Sequence, residues 1–287
     1  MRHEGRPVAI LTGGASGIGR SMAEELARRN VEVVVTDRQG ELAQQVVDAI
    51  RSTGGSAYAA EVDVRAFESL QRVVATTTAR TGRLDYFFNN AGIAVAGPIE
   101  SYSPADWDDV FDVNLRGVAY GVSAAYPAMI AQGFGHIVNT ASLAGLTPGT
   151  WAGSYTTSKF GIVGLSKALR IEAARHGVRV SVLCPGVVRT PLLKGGTYGR
   201  TNLNLVAQQQ VERLWERARP MDAQLFARRA LDAVARNTPV IVLPSWWKIF
   251  WYIERISPGL SARLATRALQ RMQRELALET PKALPGG

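Results

Sequence analysis

The chain reads as one doubly wound α/β domain on a parallel sheet, continued at its C-terminal end by an aromatic and then basic helical extension. Three observations predict this. Short runs rich in Val and Ile alternate with longer segments of helical period, a glycine-rich turn joins the first strand to the first helix, and an acidic residue closes the second strand. Right-handed crossovers between such units place the helices on both faces of one sheet.

Strands are predicted near Val8 to Leu11, Val31 to Thr36, Ala57 to Val62, Leu84 to Asn89, His136 to Thr140, Arg179 to Leu183 and Val240 to Leu243. Helices are predicted between them near Gly17 to Arg29, Glu41 to Thr53, Ala66 to Thr81, Pro104 to Gln132, Ser154 to His176 and Asp222 to Arg236. Ser103 before Pro104 reads as a helix N-cap, with Asp106, Asp108 and Asp109 adding favourable charge to the first turn. Gly177 ends the fifth predicted helix. The stretch from Pro191 to Arg219, with Gly195, Gly196 and Gly199, interrupts the alternation and is expected to be a mobile insertion over the site. No internal repeat or low-complexity tract is present.

A length of 287 residues with 46% hydrophobic and 20% charged content suits a globular chain with a sizeable core. The single cysteine, Cys184, has no disulfide partner and is read as structural. No histidine or cysteine cluster has metal-ligand spacing. The apolar run at Val8 to Leu11 is too short for a signal peptide, and no stretch is long enough to span a bilayer, so a cytoplasmic protein is expected. The net charge of +9 is concentrated late: from Val211 onward there are 13 Lys/Arg against seven Asp/Glu. With no nucleic-acid fold signature there, solvated helix faces or an anionic lipid surface explain the charge better than nucleic acid.

The first strand runs into Thr12-Gly13-Gly14-Ala15-Ser16-Gly17-Ile18-Gly19, which opens a helix. Glycines let backbone amides approach a pyrophosphate, and the helix N-terminus adds partial positive charge. Asp37, ending the second strand, can accept hydrogen bonds from both adenosine ribose hydroxyls and repels a 2′-phosphate. NAD is therefore favoured, while Arg38 next to it keeps NADP open. Asp63, with Val64 beside it, is placed either at the adenine or as a helix cap.

Tyr155 and Lys159 are four apart, hence on one helix face. A phenol that exchanges protons near neutrality needs cationic neighbours, and Lys159 and an oxidised nicotinamide together are expected to lower the proton affinity of Tyr155. Ser142 follows the fifth predicted strand at the carboxyl edge of the sheet, where its hydroxyl can grip a substrate oxygen together with the phenol.

On these residues the chain resembles the short-chain dehydrogenase/reductase family from the first strand to about Leu243. Thr12 to Gly19 is similar to the family's glycine motif, Asn89-Asn90-Ala91-Gly92 to its sheet-stabilising motif, and Asn114, Ser142, Tyr155 and Lys159 to its catalytic tetrad in order. Pro185-Gly186 and Thr190 match the segment bordering the nicotinamide, with Val187 and Val188 flanking the ring. The resemblance implies a Rossmann-type catalytic domain over 1–243, with 191–219 as a substrate loop and 244–287 as an extension. It also implies an NAD(P)-dependent enzyme interconverting a secondary alcohol and its ketone. In that reading Tyr155 is general acid or base, Ser142 orients substrate, Lys159 binds the nicotinamide ribose, and Asn114 keeps a helix irregularity that connects the lysine to solvent. A homodimer or homotetramer through the fourth and fifth helices is implied as well.

Two rival readings remain to be weighed. A serine hydrolase is excluded because Gly14-Ala15-Ser16-Gly17-Ile18 lacks the last glycine of a nucleophile elbow, and His3, His136 and His176 have no partner pattern. An inactive nucleotide-binding sensor or scaffold is disfavoured by the intact tetrad. The tail Pro244 to Ile256 carries three of the six tryptophans. It is expected to close an apolar pocket, cover a subunit interface, touch a membrane peripherally, or stand as aggregation-prone exposed surface. Leu146, Trp151, Leu192 and Leu193 hint at an apolar substrate.

Overall fold

The computed structural model describes residues 5–194, 198–201, 213 and 215–279. In chain order the elements begin β1 (Val8–Thr12), α1 (Gly17–Arg28), β2 (Glu32–Asp37), α2 (Gly40–Ser52), β3 (Ala57–Glu61), α3 (Phe67–Thr81), β4 (Tyr86–Asn89), β5 (Ala94–Ala96) and α4 (Pro104–Val110). A π-helical turn (Phe111–Arg116) follows, then α5 (Gly117–Gln132), β6 (Gly135–Thr140), α6 (Gly153–Ala173), β7 (Val178–Pro185) and β8 (Gly199–Thr201). The chain continues with α7 (Ala223–Ala235), β9 (Val240–Leu243), α8 (Lys248–Ile256) and α9 (Pro258–Glu279).

Seven strands form one parallel sheet in the order β3-β2-β1-β4-β6-β7-β9, and β5 and β8 pair separately. Each strand of the large sheet faces helices on both sides, which is why these strands read as near-continuous apolar runs. Alternate residues serve opposite cores: Ala9, Leu11, Val33 and Val35 face α1, α2 and α7 with Met22, Val46 and Phe226, while Ile10, Val34 and Phe87 face α3, α5 and α6 with Leu70, Met129 and Leu169. A third cluster of Val118, Ala141, Leu146, Ile162, Cys184 and Val242 lies near the carboxyl ends of β6, β7 and β9. The strand order reverses between β1 and β4, and the opening there is where such sheets receive ligands.

Several predicted boundaries hold to within a residue or two, and Ser103 caps α4 in a capping box with Asp106. Gly177 takes the left-handed conformation (φ +71°) after a short 3-10 turn that ends α6. The helix predicted as continuous from Pro104 to Gln132 is interrupted by the π turn, whose extra residue lets a side chain leave the regular helical register. The β5–β8 pair has no counterpart among the predicted strands. Most of the expected insertion at 191–219 lies outside the described residues; Pro191–Lys194 forms a 3-10 turn.

Candidate active site

The turn after β1 is held by the Gly14 N–H, which donates to the Thr36 carbonyl oxygen at 3.0 Å, and by side chains. Thr12 Oγ1 accepts from the backbone N–H groups of Asn90 (2.9 Å) and Ala91 (3.1 Å), and Asn90 Nδ2 donates back to the Thr12 carbonyl oxygen at 3.1 Å. Gly13 needs its positive φ of +64°, and a Cβ there would stand 2.8 Å from the Ala91 Cα. Gly19 lies directly on this turn, since a Cβ would meet the Gly13 carbonyl oxygen at 2.0 Å. Ser16 is the N-cap residue of α1 without a side-chain cap bond, so the first N–H groups of α1, beginning near Gly17 and Ile18, face the turn.

Asp37 is buried at the end of β2, where its carboxylate accepts from the Ala15 N–H and the Gln39 N–H, both at 3.1 Å. These bonds lock the carboxylate beside the glycine turn. Arg38 is exposed. Asp63 is paired with Arg65 at 2.6 Å, and this guanidinium holds its carboxyl below the usual range with a smaller contribution from Arg38. The cap of α3 is Ala66, so Asp63 is not the helix cap that the sequence allowed; it closes a turn through the Arg65 N–H instead. Val64 is buried against Gly117.

The four tetrad positions converge. Asn114, fully buried in the π turn, clamps Ile93 from both sides, accepting from its N–H at 2.8 Å and donating to its carbonyl oxygen at 2.9 Å. It also donates to Ser158 Oγ at 3.2 Å, and Ser158 donates to the Tyr155 carbonyl oxygen at 2.7 Å. Lys159 Nζ donates to the Thr140 carbonyl oxygen at 2.9 Å and lies 5.3 Å from the Tyr155 ring centroid. Ser142 Oγ accepts from the Ala144 N–H at 3.2 Å and is hydrogen-bonded to the Tyr155 side chain.

The electrostatics of the site follow from its burial. In the chain by itself burial pushes the Tyr155 phenol above its ordinary value, with the Ser142 hydrogen bond opposing, and burial pushes Lys159 down to about 8. The lowering expected from Lys159 together with an oxidised nicotinamide concerns the cofactor-bound site; in the chain by itself the same loss of water penalises the phenolate and the ammonium alike.

The segment after β7 reaches the same opening. The Gly186 N–H donates to the Leu243 carbonyl oxygen at 2.8 Å, and Met221 bridges this segment through the Val187 carbonyl oxygen and the Arg189 N–H. Thr190 packs on Gly17, where a Cβ would lie 3.2 Å from the Thr190 Cβ. Val188 is buried, and Pro185 closes β7. The extension arrives here too: a Cβ on Gly186 would be 2.5 Å from the Trp247 indole, and Trp247 and Trp251 pack on the Cys184–Val242 cluster.

These residues fit a dinucleotide. Lys159 uses one of its three donors on Thr140, and Gly92 approaches so closely that a Cβ would lie 3.3 Å from Asn114 Oδ1 and 3.5 Å from Lys159 Nζ. Among the described residues no group of three or more His, Cys, Asp or Glu could hold a metal. His136 is structural: it is buried against Ser181 at 2.9 Å, and burial pushes it down to about 3. Burial likewise pushes the Cys184 thiol up to about 12, away from reactivity.

Some positioning residues are legible only in the structure. The Thr140 carbonyl, Ile93, Ser158 and Arg65 carry no motif of their own. Ser158, lying between Tyr155 and Lys159, is fully buried, whereas its neighbour Thr156 is half-buried on the Gly149 carbonyl oxygen.

The family model described as short chain dehydrogenase matches residues 7–198. Cyclohexanol dehydrogenase of Acinetobacter sp. (strain SE19) is 42% identical over 187 residues, 65% of this chain and 74% of that relative. A solved short-chain dehydrogenase/reductase from Burkholderia phymatum in complex with NAD is 27% identical, covers the whole of both chains and superposes with a TM-score of 0.74. A metagenomic short-chain oxidoreductase in complex with NADP is 38% identical, covers 64% of this chain and 83% of its own, and has a TM-score of 0.60.

Proposed function

The chain belongs to the short-chain dehydrogenase/reductase family and is a nicotinamide-dependent oxidoreductase; from that premise we propose that it interconverts a secondary alcohol and its ketone, with Tyr155 as general acid or base. The observation that carries this reading is the convergence of Ser142, Tyr155 and Lys159 at the mouth of the β1/β4 opening.

A bound nicotinamide supplies or accepts the hydride. The protein's part is positioning and proton handling. Ser142, its lone pair engaged by the Ala144 N–H, keeps its proton directed toward the phenol and the oxygen of a substrate between them. In reduction Tyr155 gives its proton to the carbonyl oxygen; in oxidation it takes the alcohol proton. Lys159, anchored on Thr140, has donors left for ribose hydroxyls. Asn114 is a positioning residue that fixes the 91–93 loop and, through Ser158, the backbone of Tyr155.

The dinucleotide lies, in this proposal, on Gly13, Ser16, Gly17, Ile18 and Gly19, along Asn90, Ala91 and Gly92, and against Pro185, Gly186, Val188 and Thr190, with Asp63 and Val64 toward the adenine. NAD is preferred, supported by the fixed, buried carboxylate of Asp37; Arg38 is the residue through which NADP would bind. The substrate is apolar, supported by the half-buried indole of Trp247 packed on Gly186 and by the cyclic alcohol in a relative's name. Residues 244–256 close the site over Gly186, where Trp247 packs. The assembly is a homodimer or homotetramer through α5 and α6, supported by exposed Phe160 and Ile171 on α6.

A panel of alcohols and ketones with both dinucleotides, followed by nicotinamide absorbance, tests the proposal. Turnover of apolar secondary alcohols that disappears in Tyr155→Phe supports it. Dinucleotide binding with no turnover of any of them would return the chain to the sensor reading.

A further inference from the structure

Helix α8 has two unlike faces. Trp247, just before it, and Trp251 turn inward onto the Cys184–Val242 cluster and Gly186. The opposite face carries Ile249, Tyr252 and Ile256, which are 54%, 50% and 84% exposed and fall at i, i+3 and i+7 on one stripe. Trp246, 51% exposed, stacks on Trp247 with ring centroids 4.1 Å apart, and Leu260 and Leu264 are exposed apolar side chains on α9. Side chains of this size are rarely left open together on a helix that has nothing to meet.

The charge around this surface has one sign. Over residues 244–267 the cations are Lys248, Arg255, Arg263 and Arg267, and the single acid is Glu254, whose Oε2 is buried. A second copy of the same surface would bring these cations against each other. An anionic surface complements them. The exposed aromatic pair Trp246 and Tyr252 suits the headgroup layer, where amphipathic rings concentrate.

We propose that α8 and the start of α9 dock this protein on an anionic lipid bilayer, with Ile249, Tyr252 and Ile256 entering the headgroup boundary and Lys248, Arg255, Arg263 and Arg267 meeting phosphates. The attachment is peripheral: α8 spans nine residues, and among the described residues no helix is long and apolar enough to cross a membrane. Because the inner face of α8 covers Gly186, docking brings the segment that lies over the active site to the bilayer, where an apolar alcohol or ketone concentrates. That consequence rests on the catalytic reading; the docking itself does not.

The test is sedimentation of the full chain with phosphatidylcholine vesicles that contain or lack phosphatidylglycerol, independent of any turnover. The chain is expected to pellet with the anionic vesicles, to remain largely in solution with the neutral ones, and to be released by salt. Ile249→Glu with Ile256→Glu, both at exposed positions, is expected to lower the bound fraction at least about tenfold with an unchanged thermal melt. Lys248→Glu with Arg255→Glu is expected to lower it by about fivefold or more per site. The proposal is overturned if the intact chain ignores anionic vesicles, or if the isoleucine variant pellets as well as the intact chain. It is equally overturned if that variant instead splits an oligomer of a chain that binds no vesicles, which would make the surface a contact between copies.

Discussion

Lys159 Nζ lies 5.3 Å from the centroid of the Tyr155 ring while donating to the Thr140 carbonyl oxygen at 2.9 Å, so one ammonium is tied at once to the end of β6 and to the face of the phenol. The four-residue spacing puts the two side chains on one helical face. The Thr140 carbonyl decides how far the lysine reaches.

Removing the phenolic oxygen isolates the proton-transfer step. Tyr155→Phe is expected to lower kcat/KM by roughly 100- to 10,000-fold, the range of a lost general acid or base, while dinucleotide binding persists. Stopped substrate turnover together with retained binding by fluorescence titration is the expected pair of results; unchanged turnover removes the phenol from the mechanism.

The pH dependence follows from two opposed shifts. Burial raises Tyr155, so below that raised value oxidation, which needs the phenolate, climbs by up to about tenfold per pH unit, whereas reduction, which needs the phenol, stays level and declines only above it. Lys159 loses its proton near about 8, and above that value the slope of the oxidation limb falls as the cation beside the phenolate is lost. Lys159→Arg keeps its charge at all these pH values, so the break near 8 should vanish from its pH–rate profile even if its overall rate is lower.

Gly186 and Trp247 form a pair whose contact can be tested from both sides. A methyl group on Gly186 would sit 2.5 Å from the indole, so Gly186→Ala is expected to cost about 1–3 kcal/mol of stability through overpacking. Adding Trp247→Ala opens the space, and the double variant should lose less than the sum of the single ones. Chemical denaturation of all four proteins gives the coupling; additive losses would mean that the two residues do not touch.

Asp37 should set the choice of dinucleotide. Asp37→Ser removes the carboxylate facing a 2′-phosphate and leaves Arg38 in place, so the ratio of kcat/KM for NAD to that for NADP is expected to fall at least about tenfold. Part of the loss with NAD comes from the freed Ala15 N–H, which now lacks its acceptor in the glycine turn. A ratio that does not move places the selectivity elsewhere.

The sequence by itself determined the alternation of strands and helices, because burial on both faces makes each central strand apolar over its full length and leaves glycines where backbone must approach backbone. Gly13, Asp37, Ser142, Tyr155 and Lys159 were legible for the same reason: local spacing places each at a strand end or on one helix turn. Tertiary structure alone decided the rest. Asn114 and its helix irregularity are legible through the family resemblance, not through periodicity, which cannot register one additional residue in a turn; its bonds to Ile93 and Ser158 are set by the π turn and the fold. In the chain by itself the Tyr155 phenol is raised because its protonation depends on how much water the folded chain excludes, a quantity set by distant segments. Trp247 meets Gly186, 61 positions earlier in the chain, because β9 pairs beside β7, and no local pattern specifies which strand ends become neighbours.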